Sequence, residues 1–156
     1  MVRRAGQAIR VRGVSDEVRE PIEGDGYAVG NIDGMGAGYG FRKVRRALGV
    51  QEVGVNAIVL PEGIETGFHF HDEQEELYFV HAGRIEFEFG DGKSFVLGAG
   101  GVARVDPATY RKVRNVGSGD AVYLVVGAKG GYVGRDGRLP PGEERLPGPH
   151  NTATSS

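Results

Sequence analysis

From Val53 to Val126 the chain alternates short apolar runs with breaks rich in glycine, proline and aspartate. Val53–Leu60 is a mostly apolar run closed by Pro61, which cannot donate to a sheet ladder. Phe68–His71 and Glu76–Val80 follow as further strands. Arg84–Phe89 alternates strictly. Side chains in a strand point to opposite faces in turn, so Ile85, Phe87 and Phe89 share one face while Arg84, Glu86 and Glu88 meet water. Gly90–Gly92 reads Gly-Asp-Gly and closes a hairpin onto Lys93–Leu97. Val102–Val105, Tyr110–Asn115 and Ala121–Val126 complete the series, with turns at Gly98–Gly101, Asp106–Thr109 and Gly117–Asp120. Short strands at such regular spacing predict an all-β antiparallel sandwich or barrel.

The flanks lack this pattern. Ile9–Val14 fits a short edge strand, but GDGYAVGNIDGMGAGYG, ending at Gly40, is too rich in glycine for a helix or a stable strand. A phosphate-cradling loop would need a strand before it and a helix N-terminus after it. The basic stretch that follows, FRKVRRALGV, has no capping residue ahead of it, so residues 1–49 are expected to form a wrapping arm. Phe41, Val44 and Leu48 suit either a short helical face or a strand, and Arg42, Lys43, Arg45 and Arg46 are expected on a solvated face. Residues 129–156 are dominated by Gly, Pro and polar side chains. They bury too little apolar surface to offset their ordering entropy and are expected to be a largely disordered tail, with Tyr132 and Val133 docking on the barrel or a partner and His150 exposed.

A length of 156 residues suits a single domain, here the strand-rich stretch with its two flanks. The net charge of −2 gives no global field toward nucleic acid or a membrane surface. The absence of cysteine excludes disulfides, thiolate ligands and a thiol nucleophile. No apolar run approaches membrane-span length and the start, MVRRAGQAIRVRG, lacks the apolar core of a signal peptide, so the expected location is cytoplasmic.

Candidate chemistry concentrates between Gly63 and Gly83. His69 and His71 sit two apart on a strand and share a face, while Phe68 and Phe70 take the other. A turn through Asp72–Glu75 folds the next strand back and brings Glu76 toward the two imidazoles, with Glu75 as the substitute if the turn shifts. Two His and one carboxylate form a facial metal-ligand set. The stretch resembles the first motif of the cupin family: Gly, five residues, His-x-His, three or four residues, Glu, six residues, Gly. Gly63, His69, His71, Glu76 and Gly83 match every gap. The resemblance implies a double-stranded β-helix over about residues 50–128. It also implies a divalent transition metal (zinc, iron, manganese or nickel) on His69, His71 and Glu76.

The second cupin motif, roughly Gly, five residues, Pro-x-Gly, two residues, His, three residues, Asn, is degenerate here. In GAGGVARVDPATYRKVRN, Pro107 and Asn115 fit, the inner Gly is missing, and there is no His. Counting back from Asn115 places Arg111 at the usual fourth-ligand position; counting forward from Pro107 places Lys112 there. Parity favours Arg111, because that register buries Val113 and one cation instead of two. Arginine offers a metal no lone pair. A guanidinium about 5 Å from a divalent ion repels it by roughly 6 kcal/mol at an effective dielectric near 20. Inward parity also makes Tyr78 a pocket residue. His81, Leu77 and Phe79 fall on the outer face with Phe68 and Phe70, an apolar surface that predicts a homodimer. The expectation is a small cupin binding an anionic or carbonyl ligand through Arg111 and Tyr78, as a metal-assisted dioxygenase, isomerase or lyase. The alternative is a non-catalytic, metal-free binding or sensing module. No nucleic-acid or membrane partner is expected.

Overall fold

The protein is described by a computed structural model covering residues 16–143. The expected strand at Ile9–Val14 and the expected exposure of His150 lie outside the described residues. In chain order the strands are β1 (Ile22–Gly24), β2 (Tyr27–Val29), β3 (Gly40–Arg42), β4 (Gly54–Leu60), β5 (Phe70–His71), β6 (Glu75–Ala82), β7 (Ile85–Phe89), β8 (Ser94–Leu97), β9 (Val102–Val105), β10 (Arg111–Asn115), β11 (Ala121–Ala128) and β12 (Gly137–Arg138), with a 3-10 turn at Ile32–Gly34 and a short α-helix, α1 (Val44–Leu48), between β3 and β4. No described helix is long and apolar enough to cross a membrane.

Two antiparallel sheets make the body. One runs β3-β4-β11-β6-β9 and the other β10-β7-β8. β5 pairs with β12 in a separate two-stranded sheet, and the residue before it is tied to the second sheet: His69 and Arg111 exchange backbone hydrogen bonds of 3.0 Å in each direction, at the start of β10. The alternation read from the sequence dictates what lies between the sheets. Ile58, Leu60, Tyr78, Val80 and Tyr123 from the first sheet meet Ile85, Phe87 and Val113 from the second in one core. This is the double-stranded β-helix that the spacing and the first motif imply.

Asn115 ties the layers together. Its buried amide donates to Leu60 O and Gly119 O, both at 2.8 Å, and its Oδ1 accepts from Gly117 N at 2.9 Å. Buried polar groups are tolerated when satisfied in this way. Gly83, at the end of the first motif, has φ +81°, and a Cβ there would lie 2.8 Å from Ala121 Cα. Only glycine permits both the left-handed backbone and the close approach of β11.

The flanks carry more structure than their composition suggests. The glycine-rich segment holds the β1-β2 hairpin, and β3 adds to the edge of β4. The ambiguous Phe41–Leu48 stretch is both things in turn, strand through Arg42 and helix from Val44, ending at Gly49 with φ 68°. Arg42 is not on a solvated face. It is 6% exposed, lies across from Ala57 on the outer face of the sheet, and donates to Gly38 O at 2.6 Å. After Gly130, where the sequence shows no element, β12 pairs antiparallel with β5. Tyr132 docks, with its ring beside Gly54 and the Arg45 guanidinium 3.8 Å above it.

Candidate metal centre

Strand parity builds the site. β6 sends Glu76, Tyr78 and Val80 inward and Glu75, Leu77, Phe79 and His81 outward. β10 sends Arg111, Val113 and Asn115 inward and turns Lys112 and Arg114 toward acidic partners on the surface. Arg111 therefore holds the inward position that the register argument gave it. His69 and His71 flank Phe70 on the strand that leads to the Asp72–Glu75 turn, and their rings stand edge-on with centroids 5.5 Å apart. One ligand atom from each of His69, His71 and Glu76 falls within 4.8 Å of the others.

Glu76 is the hub. Its Oε1 lies 3.0 Å from His71 Nε2, and its Oε2 lies 4.0 Å from His69 Nε2. That second oxygen also accepts from Arg111 Nη2 at 2.6 Å and from the Tyr78 hydroxyl at 2.5 Å. Burial alone would raise the Glu76 pKa. The His71 hydrogen bond, the Arg111 charge and the Tyr78 hydroxyl outweigh it and bring the carboxyl down to about 2. Burial, and then the Arg111 charge, lowers the His69 pKa to about 4, so that imidazole is neutral at physiological pH and its lone pair is available. Burial and the neighbouring Glu76 carboxylate push the Tyr78 phenol well above its ordinary value.

Arg111 is fully buried and its donors are committed. Beyond Glu76, Nη1 donates to Thr109 O at 2.7 Å and Pro107 O at 3.1 Å, and Nε reaches the Tyr78 hydroxyl at 3.4 Å. Both residues expected to touch ligand thus face the pocket, and both spend their polar groups on Glu76 and the adjoining backbone. The site meets solvent mainly through His69, whose side chain is 29% exposed against 9% for His71 and Glu76. Cavities of about 390 and 310 Å³ lie beside Tyr110, and neither is lined by His69, His71 or Glu76.

Asp136 was not legible in the sequence. Its carboxylate is buried, lies 3.4 Å from His71 Nδ1, and accepts from Glu73 N and Gln74 N. Burial would raise its pKa, but the two amide hydrogen bonds and His71 outweigh that and lower it. The one local hint is a turn-like Arg-Asp-Gly, which says nothing of a partner more than sixty residues earlier in the chain.

The donor set fits a divalent transition ion: two imidazoles, one of them held neutral, and an ionised carboxylate, converging within 4.8 Å. The ion pair with Glu76 also tempers the repulsion expected from Arg111, since the guanidinium charge is matched at 2.6 Å.

The fold agrees with comparisons to known proteins. The model of the Cupin domain family matches residues 56–127. Among curated proteins no relative matches the chain. A solved structure from Klebsiella pneumoniae, an uncharacterized conserved protein with a double-stranded β-helix domain, is 19% identical, aligns with 71% of this chain and 95% of its own, and has a TM-score of 0.58. A sugar phosphate isomerase of the cupin superfamily from Silicibacter pomeroyi is 22% identical over 72% of this chain and 71% of its own, with a TM-score of 0.52. A Thermotoga maritima protein described as a predicted oxalate decarboxylase is 28% identical over 49% of this chain, with a TM-score of 0.46, and the match spans 65% of its length. With the matched family model, the two-sheet topology and the complete first motif in agreement, residues 56–127 form a cupin domain.

Proposed function

We propose that the chain is a metal-binding cupin that takes a small anionic or carbonyl-bearing ligand on the open side of the site, next to His69. The observation that carries this reading is the convergence of His69, His71 and Glu76 within 4.8 Å, with His69 neutral. Zinc, iron, manganese or nickel suits these donors. When bound, such an ion supplies Lewis-acid polarisation of a ligand oxygen. Glu76 and Arg111 nearly cancel, so a divalent ion leaves the pocket with net positive charge, which favours an anionic or electron-rich ligand. Arg111 and Tyr78 fix the Glu76 carboxylate, and Phe70, stacked on Tyr110 at 5.0 Å, packs on the other side of the strand. Dioxygenase, isomerase and lyase chemistry are all compatible with this arrangement, and fold alone does not choose among them.

A second reading draws on the Arg111–Glu76 pair. In a metal-free sensing module, a small carboxylate would displace Glu76 from Arg111. Element-resolved metal content of protein purified without chelator separates the two. The first reading expects about one transition-metal ion per chain in the wild type and loss of it in His69→Ala. Metal-free wild-type protein that also takes up no added zinc supports the second. We also propose that the chain assembles as a homodimer through the outer face of the five-stranded sheet.

A further inference from the structure

Arg42 is a buried cation that the metal centre does not use. It is 6% exposed and sits on the outer face of the five-stranded sheet, whereas Glu76 points inward. The other buried charges of the described residues are answered. Glu76 and Arg111 pair, and Asp136 accepts from two backbone amides. Arg42 forms no ion pair among the described residues: its hydrogen bond runs from Nη2 to Gly38 O, and Nε and Nη1 are buried without a partner. Its neighbours across the sheet, Ala57 and then Leu124, are apolar. A guanidinium does not shed its proton, so burial cannot neutralise it. A bare buried charge is strongly disfavoured unless an opposite charge meets it.

The adjoining chain does not supply that charge. Lys43, Arg45 and Arg46 follow Arg42 with no acidic residue among them, and residues 1–15 contain four arginines and no Asp or Glu. The segment over the guanidinium leaves its unused donors free of side chains. Gly36 has φ +148°, and a Cβ there would stand 3.7 Å from both Nε and Nη1. Those donors belong to a planar fork that matches the oxygens of an oxyanion.

We propose that Arg42, beneath the Gly36–Gly38 loop, is an anion site separate from the metal centre, and that it takes a phosphate-type dianion. A dianion is favoured over a carboxylate because three further cations lie within four residues of Arg42, and attraction grows with the charge of the ligand. Nε and Nη1 are covered by the loop, so the loop moves aside to admit the ion. The site does not depend on the metal-binding reading, since the two lie on opposite faces of the sheet.

Titration calorimetry of the full chain, purified without phosphate and stripped of metal by a chelator, tests this. Inorganic phosphate should bind wild type at about one ion per chain, and Arg42→Lys, which keeps the charge and loses the fork, at least tenfold more weakly. Arg42→Met should show no binding. In thermal melting, phosphate should raise the midpoint of wild type and leave that of Arg42→Met where it was. Acetate should bind wild type at least tenfold more weakly than phosphate, as expected of a single charge. Glycerol phosphate, run alongside, separates the two sources of the dianion: it binds as phosphate does if the site accepts a phosphoryl group on a larger molecule, and fails to bind if the site takes the free ion. Three results overturn the proposal: no phosphate uptake by wild type at millimolar concentration, phosphate binding in both variants equal to wild type, or acetate binding as tight as phosphate. If Arg42→Met does not fold, Arg42→Lys decides, and unchanged phosphate affinity there overturns the site.

Discussion

The Glu76–Arg111 pair is the most consequential contact in the molecule. Both partners are buried, and breaking such a pair from one side leaves an uncompensated charge. Replacing Arg111 with Ala should therefore cost about 3–5 kcal/mol in urea unfolding, while the Glu76→Gln, Arg111→Met double variant should cost less than the single one. A double variant as damaged as Arg111→Ala would show that the pair matters for packing alone. Arg111→His makes a different point. It removes the cation and adds an imidazole at the fourth-ligand position, so zinc affinity should rise at least tenfold, about 1.4 kcal/mol, by calorimetry. Unchanged affinity would mean that Arg111 does not oppose the ion. The lowered pKa values carry a pH dependence. His69 titrates near 4 in the fold against an ordinary 6.5, and Glu76 near 2 against 4.5. Both are depressed, so the unfolded chain binds protons first and acid favours unfolding. For metal-free protein, stability should be fullest above pH 6.5, fall through the His69 window down to pH 4, and fall again from 4.5 toward 2. The first step is on the order of 2–3 kcal/mol. Denaturant unfolding across this range should show the upper step shrinking in His69→Gln; a flat profile from pH 7 to 4 would refute it.

At the level of elements, glycine turns hold the strands in register. Gly83 combines φ +81° with a Cβ site 2.8 Å from Ala121 Cα, whereas Gly98 has ordinary backbone and open space at its Cβ position. Gly83→Ala should destabilise by at least about 2 kcal/mol, from left-handed strain plus displacement of β11, and Gly98→Ala should be nearly neutral. Equal melting temperatures for the two would remove the argument. The strands from Val53 to Val126 were legible in the sequence to within about two residues, because two-residue alternation and turn chemistry are local signals. β3, α1 and β12 were not. β3 exists by adding to the edge of β4, and β12 by adding to β5, so each depends on a partner far along the chain. The same distance hid Asp136, whose ligands are backbone amides of a turn. It also misled the reading of Arg42, which local composition groups with three basic neighbours. The Gly36 to Gly38 loop folds over its side chain instead. His69, His71, Glu76 and Arg111 were legible because motif spacing and parity act within single strands. That the backbone carbonyls of Pro107 and Thr109 would also draw on the Arg111 guanidinium required the three-dimensional structure.

The whole molecule leaves one sheet face unusually apolar. An antiparallel sheet with one solvated face ordinarily shows polar side chains there. In the five-stranded sheet, cross-strand neighbours on the outer face run Ala57, Leu124, Phe79, Val102 in one row and Val55, Val126, Leu77 in the next, with Arg42 at the β3 end of the first row and Arg104 at the β9 end of the second. Leu77, Phe79 and Val102, toward the β9 edge, are 50%, 42% and 62% exposed, while α1 packs against β4 on the far side. Phe68 and Phe70, expected on this same face, belong elsewhere: Phe70 stacks on Tyr110, and Lys112 Nζ lies 5.0 Å from the Phe68 ring. The proposed self-association surface is thus the β6–β9 half of the large sheet, without the aromatic pair of the histidine strand. A second copy suits it, because a two-fold contact sets the same apolar rows against each other and leaves the His69 opening, set among inward-facing residues, free. Light scattering of wild type at micromolar concentration should give twice the chain mass. Leu77→Lys with Phe79→Lys places two cations from each copy in the contact and removes two apolar anchors. The dissociation constant should rise at least a hundredfold, about 2.8 kcal/mol, with zinc affinity unchanged because both side chains point away from Glu76. A wild type that stays monomeric at high micromolar concentration, or a double variant that remains as dimeric as wild type, would remove this face from the assembly.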